Sequence, residues 1–480
     1  MLLERKIFKN TFFLSSGKGI GDLCSFILLM YFSRAFGAET LGKYSFAMSF
    51  GGLLTIFASL GFNMLMVREI SKDESVSQKY LGNLIVIRGG ISIFLFIFIG
   101  VGVYYSHLPF DTKLILLLMS GYHIFYRLTG LLISSFKAHD CMHYSAFLEF
   151  YHKIVLLIFG LSTIILFHRP VLTLTFYPIS AFTMLLIAMV LYKQKIGLPD
   201  FNLDISFIKN SIKKAFRFFV VFIFGQFYDR IGIILLAFLQ GEKSTGIYSA
   251  ADKMLVTLFA GVVIFNSVLF PYLSKLSTQS IVEFYKLGER FMRFLFIFLL
   301  SLALSIFVLS DTIIGLTFGH EFKDSIMVLQ ILVWSLLFMG LNQLLSVMII
   351  VLHKEQKLLK IRIITYLGYC IVSIILIRNF DYIGLAYAKV AVESVLFFTT
   401  IFMAYRLSDI YRLCKQLLAP LISGTIGLAI YFLLKDITLW LTFPVVLAAY
   451  LILLFLLKGI FVHDIIFLVR ILLTSSSNKS

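Results

Sequence analysis

A chain of 480 residues that is 60% hydrophobic, only 14% charged and of mean hydropathy +0.97 cannot hide its apolar surface in a single water-soluble core. Lipid must be part of its solvent. The net charge of +17 does not make it a nucleic-acid binder, because Lys and Arg gather in short tracts between apolar runs, as in a polytopic membrane protein.

The N-terminal "MLLERKIFKN" is basic and precedes an apolar run, as a signal peptide would. The run is long, lacks a small-x-small cleavage site and is followed by many equal runs, so it reads as a retained first helix. Spanning-helix candidates follow in chain order at 10–32, 44–66, 82–105, 113–135, 144–166, 171–192, 214–238, 246–270, 292–317, 326–351, 360–377, 383–404, 417–434 and 442–462. The largest break, "KQKIGLPDFNLDISFIKNSIKKAFR" at 193–217, falls after the sixth span and reads as a linker with an interfacial amphipathic segment. Loops on the N-terminal side hold Lys and Arg over the opposite loops by more than three to one, which places both termini in the cytoplasm and requires an even number of spans.

"GKYSFA" (Gly42–Ala47) opens the second span and "GIYSAA" (Gly246–Ala251) opens the eighth, an offset of 204 residues. An even number of spans separates the copies, so the two units share one orientation and are related by an axis along the membrane normal. The expected fold is an all-α integral membrane protein of about 14 transmembrane helices. It has two six-helix lobes and two appended helices: an N-lobe with linker at 1–210, a C-lobe at 211–415, and the last two spans with a cytoplasmic tail at 416–480.

Within the spans lie seven cations, Lys18, Arg88, Arg127, Lys153, Arg230, Lys253 and Lys389, and five acids, Asp22, Glu149, Asp229, Asp252 and Glu393. Each costs about 2.5–3.5 kcal/mol at mid-bilayer on insertion scales, so a dozen facing lipid would cost on the order of 30–40 kcal/mol. They must point into the bundle. Lys18/Asp22, Glu149/Lys153 and Lys389/Glu393 are opposite charges four apart on one helical face, and His123/Arg127 share that spacing. Ser15, Lys18, Asp22 and Ser25 form a polar stripe on the first span, and Gln226, Asp229 and Arg230 do the same on the seventh. Self-neutralising pairs that fasten helices are one reading, and Arg88 and Lys253, near span ends, can also snorkel. The other reading is a hydrated, net-positive cavity suited to an anionic head group such as pyrophosphate. On it, Lys18, Asp22, Arg88, Arg127, Lys153, Arg230, Lys253 and Lys389 line the substrate path. Asp22, Glu149, Asp229, Asp252 and Glu393 serve as ion-pair or coupling groups.

Other site-like stretches fail on residue type. Gly17-Lys18-Gly19-Ile20-Gly21-Asp22 imitates a phosphate loop. A P-loop, however, needs glycine where Phe12 stands and Ser or Thr where Gly19 stands, and a dinucleotide fingerprint needs Gly or Ala at Asp22. Gly17, Gly21 and Ser25 instead make a small-residue seam for helix packing. "HDCMH" (His139–His143) has Asp140 where a metalloprotease has Glu. Phe318-Gly319-His320-Glu321 reads as a short outer turn with a structural role. The four cysteines, Cys24, Cys141, Cys370 and Cys414, have no framework spacing and give neither disulfides nor a cysteine metal site. No metal or catalytic residue is assigned.

"FGAETLGKYSFAMSF" with "LGFNMLMVREIS", "FYDRIGIILLAFLQGEKSTGIYSAADKM", "VLFPYLSKLS", "GLTFGHEFKDSIMVLQILVWSLLFMGLNQLLSVMIIVLHKEQK" and "YIGLAYAKVAVES" resemble, in order, blocks of the Wzx-type O-antigen flippases. These form the polysaccharide branch of the multidrug/oligosaccharidyl-lipid/polysaccharide (MOP) exporter superfamily. The resemblance covers most of the first twelve spans. It implies two lobes working by alternating access on undecaprenyl-pyrophosphate carrying an oligosaccharide, moved from the cytoplasmic to the periplasmic face of the bacterial inner membrane. By location, Lys18, Arg127, Lys153 and Arg230 fit the family's cationic cavity role. It further implies lipid and lipid-linked oligosaccharide as partners, with polysaccharide polymerase or assembly proteins beside them; the four-residue spacing of acids such as Asp22 and Glu393 from cations leaves room for proton or Na+ coupling, with no other cofactor and no nucleic acid expected. An enzyme reading fares poorly, since every outer loop is about a dozen residues or fewer. A MATE-like multidrug exporter would want an acidic or aromatic cavity for cationic drugs. A lipid II flippase of peptidoglycan synthesis is the closer alternative.

Overall fold

The computed structural model describes residues 2–405, 407–434 and 439–457. Among them no strand occurs, as expected of backbone that must satisfy its own hydrogen bonds in hydrocarbon. Three helical stretches are too long to be single spans. Leu2–Leu54 has 53 residues, Ile205–Gln279 has 75 and Glu355–Ala404 has 50. Straight, they would run about 75–110 Å against a hydrocarbon core of about 30 Å. Each is broken once by a residue with positive φ: Gly37 (φ 77°, ψ −179°), Gly241 (φ 87°, ψ −174°) and Asp381 (φ 53°, ψ −138°).

The breaks define α1 (2–36), α2 (38–54), α8 (205–240), α9 (242–279), α12 (355–380) and α13 (382–404). Between them lie α3 (Phe62–Ile70), α4 (Ser77–Tyr105), α5 (Phe110–Ala138), α6 (Met142–Phe167), α7 (Pro170–Lys195), α10 (Ile281–Thr317) and α11 (Asp324–Val351). The chain continues in α14 (Leu407–Leu434) and α15 (Leu439–Leu456). Ten helices are long and apolar enough to cross a membrane before the breaks are considered. Dividing the three broken ones and adding the shorter apolar α15 gives fourteen among the described residues, one for each apolar run in the sequence. The last run, 442–462, ends outside the described residues. This is an all-α, multi-pass membrane fold.

The second span differs from its expected form. It runs through α2 and a turn, Ile56–Ser59, then breaks where Leu60 (φ 40°, ψ 23°) and Gly61 (φ 73°, ψ 8°) are both left-handed, and resumes as α3. Leu60 pays a steric penalty there that glycine escapes.

The repeat reappears in three dimensions. Gly37 and Gly241 are 204 residues apart and share one backbone geometry that only glycine adopts readily. Five residues on, the contact is reciprocal: a Cβ on Gly42 would strike the Glu242 carbonyl, and one on Gly246 would strike that of Ala38. The paired helix starts therefore cross backbone to backbone with matching residues exchanged. Glu321, in the turn before α11, caps this region by accepting from the Ala38 N–H at 3.2 Å, a structural contact.

The described residues form two compact units. The first contains Met1–Thr257, Thr317–Ser325 and Tyr366–Ala388, and thus extends past the linker into α9; the second contains Leu258–Leu316, Ile326–Thr365 and Lys389–Ser480. In the first, Phe62, Leu65, Met66 and Ile70 of α3 are buried with Leu131, Leu132 and Phe136 of α5 and Met184 of α7. Small residues allow close approach: α1 meets α6 where Gly21 faces the Lys153 side chain and Leu28 presses on Gly160. In the second unit α15 packs on α14, and Tyr450 donates to the Ile297 carbonyl of α10 at 3.2 Å.

Candidate functional site

Breaking a helix frees carbonyls that lipid cannot satisfy. In the first unit arginines meet main-chain carbonyls at such a break and on the helices beside it. Arg88 of α4 is fully buried; its Nη2 donates to the Ser59 carbonyl at 3.0 Å and its Nη1 to the Arg127 carbonyl at 2.7 Å. Its guanidinium also lies 5.7 Å from the Phe62 ring centroid, a cation–π distance. Burial excludes snorkelling for Arg88. Arg127 of α5 grips the same stretch with three nitrogens: Nε to Thr55 Oγ1 at 3.1 Å, Nη1 to Ser59 Oγ at 2.8 Å and Nη2 to the Gly52 carbonyl at 3.1 Å. Among the described residues neither arginine has a carboxylate partner.

Arg230 of α8 reaches α2 one turn earlier. Its Nη1 donates to the Met48 carbonyl at 2.8 Å and its Nη2 makes a long 3.4 Å contact with Gln226 Oε1. His123 Nε2 lies 3.0 Å from the same carbonyl. A carbonyl only accepts, so the histidine proton sits on Nε2. Gly52 makes this convergence possible, since a Cβ there would collide with the Arg230 guanidinium and crowd His123 Nε2. Arg230 Nε is buried without a partner.

An aromatic group adjoins the cluster. Tyr44 and Tyr177 hydroxyls are 3.1 Å apart, and Tyr122 stacks on His152 at 5.6 Å between ring centroids. His152 is fully buried and neither ring nitrogen has a partner. Its neighbour Lys153 points to α1: Nζ lies 3.9 Å from Asp22 Oδ1, with the side chains 26% and 44% exposed. Lysine 153 thus reaches an acid on another helix as well as having Glu149, half-buried one turn away, on its own.

The remaining candidates lie elsewhere. Lys18 is on α1, with its side chain outside the described set. Asp229 is exposed on α8; Asp252 is buried and Lys253 half-buried on α9. Lys389 and Glu393 belong to the second unit, on α13. There Asn342 Nδ2 of α11 donates to the Glu393 carbonyl at 3.1 Å and to its Oε2 at 3.0 Å, while Thr400 Oγ1 donates to Asn342 Oδ1 at 3.0 Å. Sequence spacing missed Gly52, Thr55, Ser59, His152 and Asn342. In "HDCMH", His139 Nδ1 lies 2.9 Å from the Ser135 carbonyl at the end of α5, and no metal-ligand cluster occurs among the described residues.

The fold is a many-spanned helical bundle whose first unit gathers three arginines against main-chain carbonyls. The family profile described as polysaccharide biosynthesis protein matches residues 7–277, more than half of the chain. The chain belongs to that family. It is similar to the capsular polysaccharide biosynthesis protein CapF of Staphylococcus aureus, 25% identical over 389 residues, 79% of this chain and 94% of the relative. Its fold matches that of the lipid II flippase MurJ in an inward closed conformation, with a TM-score of 0.76 and 17% identity over 94% of this chain and 99% of that one. It also matches an inward-facing multidrug resistance MATE transporter of the MOP superfamily, with a TM-score of 0.61 and 14% identity over 82% and 96% of the two chains. The likeness to both is one of fold.

Proposed function

We propose that this chain is a flippase that moves an undecaprenyl-pyrophosphate-linked oligosaccharide from the cytoplasmic to the periplasmic face of the bacterial inner membrane by alternating access. The observation that carries the reading is the meeting of Arg88, Arg127 and Arg230 on the broken second span, against its main-chain carbonyls. Such a cluster keeps its positive charge and repels cationic cargo, while pyrophosphate is stabilised by it. Family membership and the names of CapF and MurJ support a lipid-linked glycan as cargo.

The residues divide by role. Arg88 and Arg127 are braced by the broken helix. Arg230, whose Nε like that of Arg88 has no partner, and Lys153, partly exposed beside Asp22, are the groups from which an incoming phosphate draws hydrogen bonds in this scheme. Lys18, three residues before the small-residue contact at Gly21, joins them from α1. Asp22 competes for Lys153 and returns it when cargo leaves; Glu393 in the second unit has Asn342 in the matching role of neutral partner. Protonation or Na+ binding at such acids would couple transport to an ion gradient. Residues 1–210 and 211–415 act as the rocking lobes, both termini stay cytoplasmic, and glycan polymerase or assembly proteins receive the product. The chain carries out no bond chemistry in this scheme.

Deletion of the gene followed by tracking of lipid-linked glycan tests the reading. Glycan-bearing lipid should accumulate on the inner face. Its normal arrival outside would refute the flippase reading, and a block in lipid II export would reassign the cargo to the peptidoglycan precursor.

A further inference from the structure

We propose that the connection between α7 and α8 is a preformed anionic-lipid docking surface. Residues 196–204 link two spanning helices, so connectivity holds them at the membrane surface. They are pinned there rather than loose. Asp200 N–H donates to the Gln78 carbonyl and Gln78 Nε2 to that of Ile196, both at 3.1 Å. Asn83 bonds the segment twice, Nδ2 to the Asn202 carbonyl at 3.1 Å and Oδ1 from the Asp204 N–H at 3.0 Å. Lys79 Nζ closes the end on Asp204 Oδ2 at 2.8 Å. Gly82 lies directly under the chain, where a Cβ would strike the Asp200 carbonyl.

Pinned in this way, the segment turns its apolar side chains outward. Leu198 is 63% exposed, Phe201 57%, Leu203 56% and Ile205 79%. Four such residues in eight positions form a fringe that water penalises and the acyl boundary accepts. Lys193 and Lys195 precede the fringe in the last turn of α7, and Lys209 and Lys213 follow it one turn apart on the exposed face of α8. All four are exposed and have no acceptor among the described residues. The nearby acids are already engaged: Asp204 by Lys79, Asp200 by the Asn202 N–H at 3.0 Å, and Glu69 by Arg68, Lys72 and Lys214. An apolar fringe level with the acyl boundary, ringed by uncommitted ammonium groups, matches a phosphodiester head group above its own acyl chains. Anionic phospholipid of the leaflet that meets this lysine-bearing connection is the occupant with that chemistry.

The inference does not depend on the transported cargo, and its test has no transport readout. In full-length protein with the native cysteines replaced by serine, Asn202→Cys carries a bimane fluorophore; only the main chain of Asn202 takes part in the pinning bonds. The protein is reconstituted in phosphatidylcholine vesicles containing equal mole fractions of brominated phosphatidylglycerol or brominated phosphatidylcholine. Brominated phosphatidylglycerol should quench more strongly. The difference should vanish at about 1 M salt, where the screening length is about 3 Å. Changing Lys193, Lys195, Lys209 and Lys213 to Gln should erase it, each lysine accounting for about fivefold in head-group preference, and changing the four to Arg should restore it. Equal quenching by the two lipids, or a preference that survives salt, overturns the proposal without recourse to any variant. Quenching by neither lipid does so too, and assigns the fringe to a protein partner.

Discussion

Arg88, Arg127 and Arg230 are chemically identical and do different work, as their acceptors show. Removing Arg88 takes the side-chain donor from the Ser59 carbonyl, and removing Arg127 takes donors from the Ser59 and Thr55 hydroxyls and the Gly52 carbonyl, each lost bond to a buried group costing about 1–3 kcal/mol. Arg88→Gln and Arg127→Gln should therefore lower unfolding free energy in detergent by about 2–4 kcal/mol. Arg230→Ala leaves the Met48 carbonyl to His123, so stability should fall by less than about 1 kcal/mol while transport of lipid-linked glycan collapses. Lys18→Ala should likewise impair transport and spare insertion. Full transport in Arg230→Ala would return all three arginines to a structural role. The charges were legible in the sequence as cations stranded in apolar runs. Their partners were not, because a main-chain carbonyl has no residue identity and spacing rules search only for side chains. Acid titration offers a second test. The Lys79 hydrogen bond, then that of the Phe207 N–H, holds the Asp204 carboxyl below its ordinary value. A depressed carboxylate stabilises the fold above its unfolded pKa and loses that contribution as pH falls through the folded one. The linker should therefore loosen below about pH 4, seen as a mobile spin label at position 202, and Asp204→Asn should show that mobility at neutral pH.

Helices set the next scale. Hydropathy located every span because the bilayer fixes both their length and their character. It passed over the break at Leu60–Gly61, since "SLGFN" carries a single glycine and apolar residues continue on both sides. Breaks at Gly37 and Gly241 share a backbone conformation but not an environment. A Cβ at Gly37 would collide with the Glu321 carboxylate, whereas one at Gly241 meets nothing within 4 Å. Both alanine variants should lose about 1–3 kcal/mol from the glycine-only geometry. Gly37→Ala should lose about 1 kcal/mol more, the value of a helix cap, because the Glu321 bond to Ala38 must give way. Equal losses in equilibrium unfolding would mean that Glu321 swings aside freely. The two variants together separate a shared backbone requirement from a local capping contact.

At the scale of the molecule, the even number of spans among the described residues predicts that both ends of the chain lie on one side. A cysteine introduced after the last span, in protein otherwise free of cysteine, should react with an impermeant maleimide only once cells are opened; labelling of intact cells would overturn the count. The repeat was visible as "GKYSFA" and "GIYSAA", and the reciprocal contact of Gly42 and Gly246 gives it physical meaning. The broken second span carries a consequence for how the protein is made. Its carbonyls at Gly52 and Ser59 are satisfied by Arg127 and Arg88, which lie on α5 and α4. The residues of α2 and α3 are translated before either arginine, and Arg127 comes 57 residues after the end of α3. The break therefore cannot take its braced form when its own segment is translated. It must wait for translation to pass residue 127, so the shape of an early span is decided by codons read much later.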